Sequence, residues 1–198
     1  MSERRETQVL SLYPQALDAF GHLVRRVAPH QWAAPTPCTE WAVRDVVNHL
    51  TAEQLWVPEL LMGSTVAEVG GRFDGDVLDE DPGGAWQAAA DAAKEAFLVP
   101  GAEDVTVHLS YGDVPALAYC DQMTVDAVVH TWDLARGISA DPGLSPELVD
   151  FALAEVSGYG EGLAASGLFA PPVEVPADAS ALTRLLGLTG RRAQAPGA

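Results

Sequence analysis

The stretch PALAYCDQMTVDAVVHTWDLARG, Pro115 to Gly137, decides how the chain folds. At about 100 degrees per residue, its Tyr119, Met123, Asp126, His130 and Leu134 fall within about 80 degrees of one another, on the stripe that an amphipathic helix turns inward. Pro115 suits a first helical turn and Gly137 a helix end, so the helix should run to Arg136. Asp126 and His130 then stand one turn apart, where a carboxylate oxygen and an imidazole nitrogen can converge on one ion. The same spacing is more often that of a hydrogen-bonded pair, and spacing alone leaves both readings open.

Working outward, the same periodicity recurs on both sides. From Thr7 to Ala28, apolar residues including Val9, Leu12, Leu17, Phe20 and Val24 recur at steps of three and four and predict a first helix. Pro29, Pro35 and Pro37 break the chain into a loop up to Glu40. A second helix is expected from Trp41 to Met62, with Val43, Val46, Val47, Leu50, Val57 and Leu61 as its core stripe and a kink at Pro58. The segment from Gly63 to Gly84 is rich in Gly and Asp, lacks periodicity and reads as a lid or a wall of a site.

A third helix should cover Ala85 to Leu98. Val105 to Leu109, followed by Tyr111-Gly112-Asp113, predicts a short hairpin or extended piece. After the helix ending at Arg136, Pro146 opens another that should extend to about Ala165. The tail from Phe169 begins Pro-rich, contains a short helix from Ser180 to Leu188 and ends with Arg191 and Arg192. The expected fold is all-α, a four-helix bundle with a short hairpin and an additional C-terminal helix. A single domain is expected over residues 1–198, with 169–198 a partly packed tail.

Composition narrows the function classes. The net charge is −17, from 28 acidic against 11 basic residues, and it repels phosphate backbones and anionic membrane surfaces. Neither nucleic acid nor membrane is expected as a partner. No apolar run nears the roughly 20 residues needed to span a bilayer, and the N-terminus shows no signal-peptide segment, so a cytoplasmic location is expected. With 48% hydrophobic residues the chain can bury a core, as a monomer or a homodimer. Cys38 and Cys120 are too few for a disulfide scaffold and are expected to be reduced thiols.

His49 lies between Val46 and Leu50 and borders the core stripe of its helix, from which it can point at a neighbouring helix as a third ligand. Three protein ligands leave room for water or substrate, as in a catalytic zinc site. Such ligands favour zinc and admit nickel, iron or manganese. Arg44 could pair with Asp133 between the two helices, or meet a substrate carboxylate through its guanidinium fork. Arg136 is a weaker candidate for that cofactor-binding role, and the structural reading is preferred for both arginines. Trp41 and Trp132 read as core packing, and the acidic loop from Asp74 to Asp81 as solvated surface. Cys38, just before the second helix, could approach the metal or react as a thiolate favoured by the helix N-terminus, and the preferred reading is a small buried hydrophobe. His22, His30 and His108 have no partner at ligand spacing.

TPCTEWAVRDVVNHL, Thr36 to Leu50, and VDAVVHTWDLARG, Val125 to Gly137, resemble the actinobacterial branch of the DinB-like superfamily, related to the mycothiol-dependent maleylpyruvate isomerases. The tail FAPPVEVPADASALTRLLGLTGR, Phe169 to Arg191, resembles that branch as well. The resemblance implies a DinB-like bundle whose divalent metal is bound by His49, Asp126 and His130, and it implies mycothiol as a thiol cosubstrate. Lys94, Asn48 and Ile138 are each alone of their type, a GC-biased usage compatible with an actinobacterial source.

The function expected on these grounds is a metal-dependent enzyme that activates a small thiol for transfer to, or isomerisation of, a small electrophilic substrate. The alternatives are a metal-binding protein without catalysis, and a hydrolase or lyase using metal-bound hydroxide. Glu53, one turn after His49, would serve the last of these as general base.

Overall fold

The computed structural model describes residues 3–160 and 169–193, with the side chains of residues 3 and 4 left aside. Helix α1 spans Glu3–Val24, α2 Val43–Leu61, α3 Val66–Val69, α4 Pro82–Phe97, α5 Ala116–Gly137, α6 Pro146–Tyr159 and α7 Ala181–Leu188. Strands β1, Thr106–Leu109, and β2, Gly112–Pro115, pair antiparallel with Leu109 opposite Gly112, so Ser110 and Tyr111 form the turn. Over the described residues the architecture is all-α apart from this hairpin. Among the described residues, no helix is long and apolar enough to cross a membrane.

Local chemistry sets the boundaries. The Asp45 carboxylate accepts the Ala42 amide at 2.9 Å and closes the first turn of α2. Asp81 caps α4 by accepting from the Gly84 amide at 3.0 Å, so the helix begins at Pro82, three residues before the expected start at Ala85. Thr65 and Glu68 form a reciprocal capping box that turns part of the aperiodic loop into α3. Four residues are too few for periodicity to reveal. The expected helix end at Ala165 lies outside the described residues.

Helices α1, α4, α2 and α5 form a closed ring in that spatial order, each packing on the next. Connections 25–42 and 98–115 therefore join helices across the diagonal of the bundle. Helix α6 packs on α5 and carries α7. With neighbours on so many sides, α5 is buried far around its circumference, from Ala116 to Ala135. The core beneath it includes Leu12, Phe20, Val46, Leu50, Trp86 and Leu134, with Phe20 and Trp86 meeting edge to face at 4.6 Å.

One glycine sets how closely the two quoted motifs approach. A Cβ on Gly137 would come within 2.7 Å of Val43 and 3.1 Å of Thr36, so the last turn of α5 lies against the start of α2 only because that side chain is missing. The two helices thus come together at the end where His49 and His130 sit.

Candidate metal centre

His49 projects from α2 toward α5, where Asp126 and His130 stand one turn apart. The Nε2 atom of His49 is 3.1 Å from Oδ2 of Asp126, and the Nε2 atom of His130 is 3.4 Å from Oδ1 of the same carboxylate. Each carboxylate oxygen therefore faces one imidazole. Ligand atoms of the three residues lie within 4.8 Å of one another, so that small side-chain shifts would bring all three onto one ion. Two imidazoles and a carboxylate are a donor set that divalent transition ions accept, so the residues fit a metal of that class.

The electrostatics are those of a coupled cluster. Burial opposes ionisation of Asp126, yet the two imidazoles outweigh it and hold the carboxyl down to about 2. Burial likewise works against a charged His49, but Asp126 and Glu53 raise its pKa above the ordinary value. Burial comes first for Glu53, and with the nearby Asp126 charge it raises that pKa.

The aromatic surroundings hold the rings in place. Trp41 stacks on His130 at 5.6 Å and 21°, and its ring centroid is 4.8 Å from that of His49. The loop before α2 aims it there: the Thr36 hydroxyl donates to the Trp41 carbonyl at 2.9 Å, and the Trp41 amide donates to the Cys38 carbonyl at 3.0 Å. Trp41 is thus a wall of the centre as well as a packing residue. Trp132 is buried as expected.

The centre opens into a cavity of about 1060 Å³, at the upper end of the roughly 300–1,000 Å³ of small-ligand sites. Its metal end carries Cys38, Trp41 and Arg191 beside the three ligand candidates. The far end is more apolar, with Trp56, Leu60, Val66, Leu109 and Tyr119, and the Tyr111 hydroxyl bonds the Gln122 side chain beside it. The walls are α2, α5, the hairpin turn and the C-terminal tail. From the loop Gly63 to Gly84, Val66 lines it.

That loop is held on the outer face of α2. Asn48 donates to the Gly75 carbonyl at 2.8 Å and accepts the Val77 amide at 2.8 Å. Arg44 donates to the Asp76 carboxylate at 2.7 Å and to the Asp79 carbonyl at 2.9 Å. The expected Arg44–Asp133 bridge does not form, because Asp133 is fully buried and faces Arg191. Arg136 is exposed in the last turn of α5, and neither Arg44 nor Arg136 lines the cavity. The acidic stretch also does more than meet solvent, since Asp76 pairs with Arg44 and Asp81 caps α4. His22 and His30 are exposed, and His108 meets Asp113 across the hairpin at 2.8 Å.

Cys38 lies half-buried in the cavity wall, five residues before α2, so the helix N-terminus does not act on it directly. Burial raises its thiol pKa, against the opposing charge of Arg191. Arg191 is the residue whose place the sequence reading missed. It is buried, with Arg192 beside it exposed, and reaches Asp133 across 58 residues of chain. No spacing rule signals a pair so distant.

A family model described as the mycothiol maleylpyruvate isomerase N-terminal domain matches residues 13–135, a span that holds His49, Asp126 and His130 together. The chain belongs to that family. It is a DinB-like family, in keeping with the bundle described above. Two uncharacterized proteins of Mycobacterium tuberculosis, from strains CDC 1551 / Oshkosh and H37Rv, are each 34% identical to the chain over 139 residues. That alignment covers 70% of this chain and 72% of each relative. No solved structure matches significantly. The matched span stops at Ala135, so the family model does not extend to Arg191.

Proposed function

We propose that this member of the mycothiol maleylpyruvate isomerase N-terminal domain family is a metal-dependent enzyme. It would activate a small, mycothiol-like thiol for transfer to, or isomerisation of, a small electrophilic substrate. The observation that carries the reading is the convergence of His49, Asp126 and His130 at one end of a cavity large enough for a thiol and a second small molecule. A divalent ion bound there, with zinc best suited to the ligands, would supply a Lewis acid that lowers the pKa of a sulfur nucleophile. The family description supports mycothiol as the thiol class.

The protein's own residues do the rest. His49, Asp126 and His130 would bind the ion from one side and leave its cavity side uncovered. Trp41 packs against both rings and restricts their orientation. The apolar far end would favour an uncharged or aromatic portion of the substrate over an anionic one. Calorimetry on metal-loaded protein, in buffers of different ionisation enthalpy, tests this reading. Thiol binding should release a proton, and absence of binding by mycothiol and simple thiols at millimolar concentration would exclude it.

A second reading rests on Glu53. It lines the same cavity, and burial together with the Asp126 charge raises its pKa, which makes its carboxylate a stronger base. Hydrolysis or elimination using an ion-activated water would employ it there. Glu53→Gln would abolish such a reaction while sparing metal retention, and it would spare thiol binding if the first reading holds.

A further inference from the structure

Asp133 has no solvent exposure, yet it lies outside the ligand set proposed above. Its Oδ2 is 3.0 Å from Nδ1 of His130, and Arg191 reaches both of its oxygens, NH2 at 2.9 Å from Oδ2 and Nε at 3.4 Å from Oδ1. A carboxylate paired with a guanidinium can only accept from an imidazole, so Nδ1 of His130 carries a hydrogen and Nε2 is left as the atom that can offer a lone pair to an ion. Nε2 is the atom that faces Asp126.

We propose that Asp133 and Arg191 act as a positioning relay, which fixes the tautomer and orientation of His130 and thereby makes metal affinity depend on docking of the C-terminal tail. This inference rests on the metal-binding reading. Cys38, His130 and Asp133 also bring ligand atoms within 4.8 Å of one another, but an ion there would have to displace the Arg191 guanidinium from Asp133. Asp133 is therefore committed to orienting His130, the outer-shell arrangement that raises ligand basicity in metal sites.

The tail is shaped to deliver that guanidinium. Gly190 follows α7 at φ +78, and a Cβ there would come within 2.6 Å of Ala170, so the turn that sends Arg191 inward needs glycine. The Arg191 amide donates to the Leu186 carbonyl at 2.7 Å, its NH1 to the Thr189 carbonyl at 2.8 Å, and its guanidinium lies 5.5 Å from the centre of the Phe169 ring. The last link to His130 thus comes from a segment outside the four-helix ring.

The test uses the full chain and cobalt(II) as probe, with the dissociation constant measured by chelator competition and the ligand field read from the visible spectrum. Asp133→Asn is combined with Arg191→Gln, so that no buried charge is left unpaired. The double variant should bind cobalt about 10- to 100-fold more weakly, with an altered spectrum. A purely structural role would lower the melting temperature of the metal-free protein and leave affinity and spectrum unchanged, and that result would overturn the proposal. If the double variant does not fold, Arg191→Gln alone serves: weakened binding with a shifted spectrum supports the relay, and wild-type values overturn it. Failure of the wild-type chain to bind cobalt would defeat the metal reading itself, a result distinguishable because it needs no variant.

Discussion

His49 and Asp126, 77 residues apart in the chain, meet across two helices with Nε2 3.1 Å from Oδ2. One is held above its ordinary pKa and the other below it, so in the metal-free protein they stabilise each other's charge. An ion bound between them would replace that pairing with coordination, and the two states of the protein should respond to pH in opposite ways.

For the metal-free chain the signs follow from linkage. The raised His49 contributes stability that is present below its unfolded pKa and lost as pH rises through its folded value. Asp126 contributes stability that is present above its ordinary value of 3.8 and lost as pH falls through about 2. Melting temperature should therefore decline on the alkaline side of the His49 titration, and Asp126→Asn should remove that step. Metal affinity should instead rise with pH, because protons compete for the imidazoles. Zinc dissociation constants measured from pH 6 to 8 would contradict this if they were flat.

Gly137→Ala sets two effects against each other. Alanine is favoured over glycine in a helix by about 1 kcal/mol, but its Cβ would lie 2.7 Å from Val43. Packing should win, because the obstacle includes the short, stiff side chains of Val43 and Thr36. The expected outcome in chemical denaturation is a net loss of about 1–3 kcal/mol together with weaker metal retention. A gain in stability would show that α2 and α5 can separate without cost.

Leu50→Ala, beside His49 on the core face of α2, should cost about 2–5 kcal/mol by leaving a cavity under a fully buried side chain. The metal-free melting temperature is the measurement. A cost below about 1 kcal/mol would mean that the core under the site can collapse around the gap.

Much of this arrangement was legible because helices write themselves at period 3.6. The stripe through Tyr119, Met123, Asp126, His130 and Leu134 placed both α5 residues on one face, and the resemblance of two short motifs paired them with His49. Boundaries shifted where caps rather than periodicity decide them, as at Asp81 and Thr65. What could not be read was set by tertiary distance. Arg191 finds Asp133 only after α7 docks, and Arg44, paired in expectation with Asp133, takes Asp76 because its side chain lies on the outer face of α2. Trp41 looked like a core residue since aromatic bulk says nothing of whether one face borders a cavity.

Titration of the purified, chelator-stripped chain with zinc measures the central claim most directly, by calorimetry alongside elemental analysis of the loaded protein. Wild type should take up about one ion per chain and gain about 2.7 kcal/mol of stability at a free zinc concentration near 100 times the dissociation constant. His130→Ala and His49→Ala, both folded by circular dichroism, should lose that uptake. A wild-type chain that neither binds zinc, nickel, iron or manganese nor melts higher in their presence would contradict the assignment of His49, Asp126 and His130 as a metal centre.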